Sequence, residues 1–113
     1  MADKDDHEQV WKAFGEAVNM TPSEIERWLE TEESRKVGYK PDGGESVGHA
    51  SGRRIVEIKR RKKADLTGAD YAHMRKVVGY VRRHLAQGPH EEHRIPGSRW
   101  RYSLMNWGHD PLK

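Results

Sequence analysis

Apolar residues along this chain recur at intervals of three and four, the spacing of one face of an α-helix, and alternating strand-like runs are nearly absent. Val10, Phe14 and Ala17 form such a stripe. It predicts a first helix from about Asp6 to Asn19. The whole pattern predicts a small all-α domain of four main helices with a short C-terminal helix docked on them.

A second helix is predicted directly after the first, because several helix-start signals coincide there. Thr21 is suited to cap the helix, Pro22 to occupy its first position, and Glu24 to complete a Thr-x-x-Glu capping box. Ile25 and Leu29 would then pack against the first helix. The two helices are expected to form a hairpin.

The stretch RKVGYKPDGGESVGHA, residues 35–50, is rich in glycine and lacks helical periodicity, which predicts a long loop. Sixteen residues without an element are unusual in a compact domain, so such a loop would be functional or mobile. Ser51 follows as an N-cap candidate. The third helix is predicted from Ser51 to about Lys63.

The fourth helix has signals at both ends. Thr67 and Asp70 are expected to form its N-terminal cap, and Gly88 with Pro89 ends it.

A polar linker over residues 88–97 leads to an apolar tail. Ser98 would cap a short helix there, and Gly108 would stop it. Trp100 and Trp107 share a face of this helix, which predicts that the tail docks on the other helices.

The composition indicates one domain over residues 1–113 with a small core, since only 34% of the chain is hydrophobic. The absence of cysteine excludes disulfides and thiolate chemistry. No apolar run reaches membrane-spanning length, and the acidic start MADKDDHE is unlike a signal peptide. A cytoplasmic protein without a membrane partner is expected, nucleoid-associated if it binds DNA.

The net charge of +3 conceals an asymmetry between the two halves. Residues 1–50 hold 6 Lys/Arg against 12 Asp/Glu, a balance of −6. Residues 51–113 hold 15 against 6, a balance of +9. Either the basic half binds a polyanion, or acidic and basic halves pair, within one chain or head to tail between chains.

The densest positive charge lies in the third helix, where seven of the eleven residues from 53 to 63 are basic. Glu57 sits among them, four residues from Arg53 and from Arg61, and could pair with both. Part of the charge would then stabilise the helix itself, and the remainder would still form a strongly positive surface.

The fourth helix carries a second basic face, on which no acid occurs. It consists of Lys76, Tyr80, Arg83 and Gln87, with His73 and His84 alongside. Cations, an amide and an aromatic ring are the groups that contact phosphates and base edges. The alternative is a solvated helix face that happens to lack acids.

Small residues also repeat every seven positions on this helix, at Ala72, Gly79 and Ala86. Such a stripe favours close packing of a neighbouring helix within the chain, and a dimer contact is the alternative. A homodimer is therefore left open.

The predicted start of the third helix suggests a possible phosphate site. Backbone amides at Ser51 and Gly52 could bind a phosphate oxygen, assisted by the helix dipole and by the arginines that follow. Ser51 acting only as an N-cap explains the same residue without a ligand.

Catalytic and metal-binding patterns are missing. His90 and His93 have His-x-x-His spacing, but they lie in the polar linker without a second ligand pair. The sequence contains no nucleophile elbow, P-loop or dinucleotide fingerprint. No catalytic residue, metal, cofactor or small-molecule substrate is predicted.

Four segments together resemble a known family: FGEAVNMTPSEIERWLETEES, ESVGHASGRRIVEI, DYAHMRKVVGYVRRHLAQ and WRYSLMNWGHDPLK. It is domain-of-unknown-function family 3140, small proteins seen mainly in bacteria with relatives in fungi, some of which are labelled DNA-binding. The resemblance covers nearly the whole chain and implies no defined binding residues. It modestly favours a nucleic-acid partner.

The first functional hypothesis is non-catalytic DNA binding with weak sequence preference. The cations expected to contact phosphate on the third helix are Arg53, Arg54, Lys59, Arg60, Arg61, Lys62 and Lys63. Lys76, Arg83 and Gln87 would extend this surface on the fourth helix. The alternative hypothesis is a protein-interaction or homo-oligomerising module, in which the acidic and basic halves of two chains meet and Trp100 and Trp107 act as exposed anchors.

Overall fold

The computed structural model describes residues 2–38, 40, 43–89, 91 and 94–113, and for residues 2–5 it describes the backbone alone. This part of the chain contains six α-helices and no strand. The helices are α1 (Ala2–Ala17), α2 (Pro22–Leu29), α3 (Glu32–Lys36), α4 (Val47–Arg60), α5 (Gly68–Gln87) and α6 (Arg99–Asn106), with a short 3₁₀ helix at Lys63–Asp65. The predicted all-α class, four main helices and C-terminal helix are confirmed.

The helices are arranged as two packed pairs covered by a smaller element. α1 lies along α5, and α2 lies along α4. α6 contacts α2, α3, α4 and α5, so the tail is docked on both pairs, as predicted. The centre of the core is formed by side chains that are fully buried, including Ile25, Ile55, Met74 and Leu104.

Local capping chemistry defines the ends of several helices. Thr21 and Glu24 form the predicted capping box of α2, and Thr67 and Asp70 form that of α5. Ser98 caps α6, its hydroxyl accepting from the backbone N–H of Arg101. In each case the cap supplies an acceptor to a first-turn amide that would otherwise lack one.

Gly108 ends the tail helix and also fixes its position. Its φ of +80° lies in the left-handed region that favours glycine. A Cβ at this position would stand 2.8 Å from Cγ1 of Val18, and the Gly108 carbonyl accepts from the backbone N–H of Met20. The chain therefore passes so close to the end of α1 that only glycine fits.

Asn106 joins α6 to α2 and α3 through a buried polar network. Its Oδ1 accepts from Trp28 Nε1 at 2.7 Å and from Ser34 Oγ at 2.5 Å, and its Nδ2 donates to the Ser34 carbonyl at 3.0 Å. Asn106 and Ser34 are both buried. Each polar group of the amide is thus paired inside the core, where an unpaired group would be costly.

Several predicted boundaries were wrong. α1 begins at Ala2 rather than Asp6, and α3 occupies residues assigned to the end of the second helix and the start of the loop. Thr31 makes this short helix possible, since its hydroxyl accepts from the backbone N–H of Ser34. α3 ends at Lys36 and α4 begins at Val47, so the connection is shorter than the predicted 35–50; residues 39, 41 and 42 within it are outside the described part. The predicted linker at 88–97 does separate α5 from α6, although residues 90, 92 and 93 are outside the described part.

Candidate nucleic-acid interface

The start of α4 differs from the prediction and removes the proposed phosphate site at Ser51 and Gly52. Ser46 is the N-cap, with its Oγ accepting from the backbone N–H of His49 at 3.0 Å. Ser51 lies one turn inside the helix, where backbone amides are engaged in i to i−4 hydrogen bonds. Ser51 Oγ instead pairs with His73 Nε2 at 2.9 Å, which joins α4 to α5.

Gly52 is closed to ligands for a second reason. It is buried, and a Cβ built on it would stand 2.7 Å from the backbone oxygen of Asn106. This glycine therefore serves the close packing of α4 on α6. The prediction of a helix N-terminus at Ser51 and Gly52 was wrong because a serine five positions earlier caps the helix.

Most of the basic run on α4 is engaged in ion pairs within the chain. Arg54 and Arg61 both bind the buried carboxylate of Asp70, at 3.0 and 2.7 Å. Arg60 binds Glu26 at 2.6 Å. Two further pairs are Arg53 with Glu45 and Lys63 with Glu8.

The expected role of Glu57 in this run is not observed. Arg53 and Arg61, its predicted partners, bind Glu45 and Asp70 instead. The acids that neutralise the run therefore come from other segments of the chain, α1, α2 and the connection before α4 among them. Sequence spacing along one helix could not identify them.

The remaining two cations of the run have different environments. Lys59 turns inward and donates from Nζ to the carbonyl oxygens of Val18 and Met20, at 3.5 and 3.3 Å. Burial lowers the pKa of Lys59. Lys62 is exposed and has no ion-pair partner among the described residues.

The basic face of α5 divides into charged and aromatic members. Lys76, Arg83 and Gln87 are exposed, and neither cation has an ion-pair partner in the described part of the chain. Tyr80 is half-buried and stacks on Trp107 of the tail with ring centroids 4.3 Å apart.

The two histidines of this face add no charge at neutral pH. Burial lowers the pKa of His73 and that of His84. His73 stacks near Trp107 and His84 stacks near Trp100, with ring centroids 6.3 and 6.4 Å apart, so both rings belong to the contact between α5 and the tail. The positive charge of the face therefore comes from Lys76 and Arg83.

These two cations flank a cavity of about 310 Å³ between α4, α5 and α6. Val47 and Gly48 of the first turn of α4 line it opposite Trp107, and no acidic residue is among the described residues around it. An adjacent groove of about 470 Å³ shares Val47, Lys76 and Trp107 with this cavity. This groove also reaches Arg53, Arg54 and Glu57.

The tryptophans of the tail are packed rather than presented as anchors. Trp107 is only 4% exposed, and Trp100 is half-buried with its Nε1 donating to the His84 carbonyl at 2.6 Å. The expectation of exposed aromatic anchors was therefore wrong.

Sequence reasoning missed Val47, Gly48 and Trp107 as possible ligand-facing residues. The signal that could have found the first two is Ser46, an equally good N-cap candidate upstream of Ser51. No local signal places Trp107 beside them, since their contact depends on the docking of the tail.

Within the described ranges there is no group of three or more His, Cys, Asp or Glu side chains arranged to bind a metal ion. His90 and His93 lie outside those ranges. None of the described helices combines the length and the apolar character needed to cross a membrane.

The family model for proteins of unknown function (DUF3140) matches residues 13–105. The match includes α2 to α5 entirely, the last turn of α1 and nearly all of α6. No curated protein and no solved structure matches the chain.

Proposed function

The chain belongs to the DUF3140 family, which has no known function, and from the geometry of its surface we propose that it binds DNA without catalysing a reaction. The interface would be centred on Lys76 and Arg83 of α5, with Gln87 on the same face. One observation carries this proposal: Lys76 and Arg83 are exposed cations on one helix face without an acidic partner among the described residues.

The spacing of these cations suits a phosphate backbone. Arg83 follows Lys76 by seven positions on α5, so their backbones lie roughly 10 Å apart along the helix axis. That distance is about the axial rise of three nucleotides on one strand of B-DNA. The contacts would be mainly to phosphate, which predicts weak sequence preference.

The α4 run would contribute less than its charge suggests. An ion-paired cation must share or release its carboxylate partner before it can bind phosphate. Exchanging one anion for another changes the free energy little, so the contribution of Arg60, Arg61 and Lys63 to DNA affinity should be small. Lys62 is the member of the run most available to a phosphate, because it is exposed and unpaired within the described residues.

The alternative of head-to-tail association between chains has less support. Acids of the first half already bind cations of the second half within one chain, as in the pair of Glu26 with Arg60. The charge asymmetry thus stabilises the monomer, and Trp107 is too buried to anchor a partner.

The test is fluorescence anisotropy of a labelled DNA duplex at several salt concentrations. About three unpaired cations would give a slope of log affinity against log salt near −3, whereas engagement of all nine predicted cations would give a slope near −8. Lys76→Gln with Arg83→Gln should weaken binding by roughly tenfold or more.

The matched control is Arg60→Gln with Lys63→Gln, which removes the same charge from α4. It should leave DNA affinity nearly unchanged. An equal loss in both double variants would move the interface to α4, and no binding at low salt would overturn the DNA proposal.

A further inference from the structure

The cavity between α4, α5 and α6 carries a discrete chemistry of its own. The residues that line it bring several donors together: the first-turn amides of α4, an indole N–H, an ammonium and a guanidinium. The hydroxyls of Tyr80 and Ser103 also line it and can either donate or accept. Asn106 also lines it, but both atoms of its amide are engaged with Trp28 and Ser34.

The first group of donors is the N-terminus of α4. Ser46 Oγ caps the N–H of His49, while the N–H groups of Val47 and Gly48 have no acceptor among the described residues. Two free amides at the positive end of a 14-residue helix favour an anion.

The second, independent observation is Trp107. Its side chain is more than nine-tenths buried, yet its Nε1–H has no acceptor within the described residues. Nε1 is not among the fully buried, unpartnered side-chain atoms of the described residues, so this donor is accessible as well as unpaired. Trp107 lines the cavity, and Nε1 lies 2.9 Å from where a Cβ on Gly48 would stand. Glycine at this position leaves open the space in front of the indole donor.

The charge around the cavity matches a particular anion. Lys76 and Arg83 supply two positive charges, and the helix dipole adds a partial charge of about half a unit. A phosphate monoester carries close to two negative charges at neutral pH and has three strong acceptor oxygens. The cavity volume of about 310 Å³ exceeds that of the ion, so the group esterified to it could lie against Val47 and Tyr80.

We propose that this cavity is a binding site for a phosphate monoester group, held by the amides of Val47 and Gly48, the Trp107 indole N–H, Lys76 and Arg83. The site does not depend on duplex binding, although the phosphate could belong either to a free nucleotide or to the 5′ end of a nucleic-acid strand.

The test is a titration of the ¹⁵N-labelled protein with inorganic phosphate, followed by two-dimensional ¹H–¹⁵N NMR. The four tryptophans give four indole signals, and Trp107→Phe identifies the one in the cavity. The Trp107 indole signal and the Gly48 amide signal should shift saturably. Lys76→Gln and Arg83→Gln should each raise the dissociation constant by roughly tenfold.

Arg82→Gln is the matched control, because Arg82 is an exposed neighbour on α5 that lines a different groove. It should leave phosphate binding unchanged. The proposal is overturned if the Trp107 and Gly48 signals do not move, if their shifts do not saturate, or if Arg82→Gln weakens binding as much as Arg83→Gln.

The same signals separate the two sources and the two proposals. If adenosine monophosphate shifts the Trp107 and Gly48 signals at a lower concentration than a 5′-phosphorylated oligonucleotide does, the ligand is a free nucleotide. If the oligonucleotide acts at the lower concentration, the ligand is the 5′ end of a strand. Both results support the site. Phosphate binding without any duplex binding would support the site and overturn the proposed DNA function. Duplex binding without a shift of the Trp107 signal on adding phosphate would support the proposed DNA function and overturn the phosphate site.

Discussion

At the scale of single residues, Asp70 shows how one side chain can serve two purposes. Its carboxylate accepts from the backbone N–H of Thr67 at the start of α5 and also binds Arg54 and Arg61 of the α4 region. The side chain is fully buried, so its charge depends on these partners. The Thr67 N–H, together with the two arginines, lowers the pKa of Asp70 to about 2.

Asp70→Asn should destabilise the protein by about 2–3 kcal/mol, because a capping acceptor is weakened and two arginines lose their carboxylate. The pKa of Asp70 is lower in the folded state than the usual 3.8, so its stabilisation is complete above about pH 4 and is lost as the pH falls toward 2. Urea unfolding at pH 7 and at pH 2.5 would check both statements.

Asp65→Asn is the control for this measurement, since Asp65 is exposed and has no ion-pair partner among the described residues. It should change the free energy of unfolding by less than about 0.5 kcal/mol. A similar loss for both variants, or a loss at Asp70 that is independent of pH, would contradict the role assigned to its charge.

At the scale of elements, α4 is held closely on both sides. Its buried face includes Ile55 and Ile58 on the core and Gly52 against α6 and Leu29, while most cations on its other faces are bound by acids from elsewhere. A helix with so strongly basic a sequence is therefore mainly a structural element. Lys76 and Arg83 of α5, by contrast, are exposed cations without acidic partners among the described residues.

Two glycine-to-alanine substitutions should separate the effect of helix propensity on stability from the effect of close helix packing. Gly15→Ala in α1 should stabilise the fold by about 0.5–1 kcal/mol, since a Cβ there would meet nothing within 4 Å and alanine favours helix. Gly52→Ala in α4 should destabilise it by about 1–3 kcal/mol, because the Cβ would stand 2.7 Å from the Asn106 oxygen. Thermal unfolding followed by circular dichroism is the measurement, and stabilisation by both substitutions would mean that α4 can move away from α6 at little cost.

At the scale of the whole molecule, acids of the first half and cations of the second half neutralise one another across the fold. Arg53, aided by His49, lowers the pKa of Glu45 to about 2, and Lys113 with the Thr21 N–H does the same for Glu24. Arg60 lowers the pKa of Glu26 in the same way. The pairs of Glu24 with Lys113 and of Glu26 with Arg60 join segments that are distant in sequence, so they favour the folded monomer over the extended chain.

The stability of the protein should fall as the pH is lowered from 7 to 3. Carboxylates with lowered pKa values stabilise the fold above about pH 4.5, and that contribution is lost as the pH falls toward their folded pKa values. His73 and His84, whose pKa values burial lowers, add a loss that begins near pH 6.5. The melting temperature should decrease by roughly 10 °C or more over this range at low salt.

High salt provides the control for the exposed pairs. In 0.5 M NaCl the decrease below about pH 4.5 should be smaller, since surface ion pairs are screened, while the part due to the buried histidines and Asp70 should persist. A melting temperature that is the same at pH 7 and pH 3 would show that the ion pairs between the acidic first half and the basic second half add nothing to stability.

Features that depend on neighbouring residues were predictable from the sequence. The periodicity of apolar residues identified α1, α2, α5 and α6, and the Thr21 and Thr67 capping boxes were located to the residue. Gly108 was recognised as the end of the tail helix. Helix formation and capping involve residues three or four apart, so the amino-acid sequence itself contains the signals for helices and their ends.

The start of α4 was not predictable, because Ser46 and Ser51 are both acceptable caps and the choice depends on packing. The turn from Val47 to Ala50 forms against the docked tail, where Gly48 meets Asn106 and Trp107. A site at Ser51 was therefore expected where the structure has a buried helix interior.

The sequence by itself determined that this is an all-α protein with a large basic surplus in its second half, because helix type and net charge are set by residue identity and local spacing. Only the tertiary structure decided which cations remain free. Each ion pair of the α4 run depends on the distance between side chains from separate segments of the chain. The same folding that places Glu26, Glu45 and Asp70 on this run leaves Lys76 and Arg83 open beside Trp107.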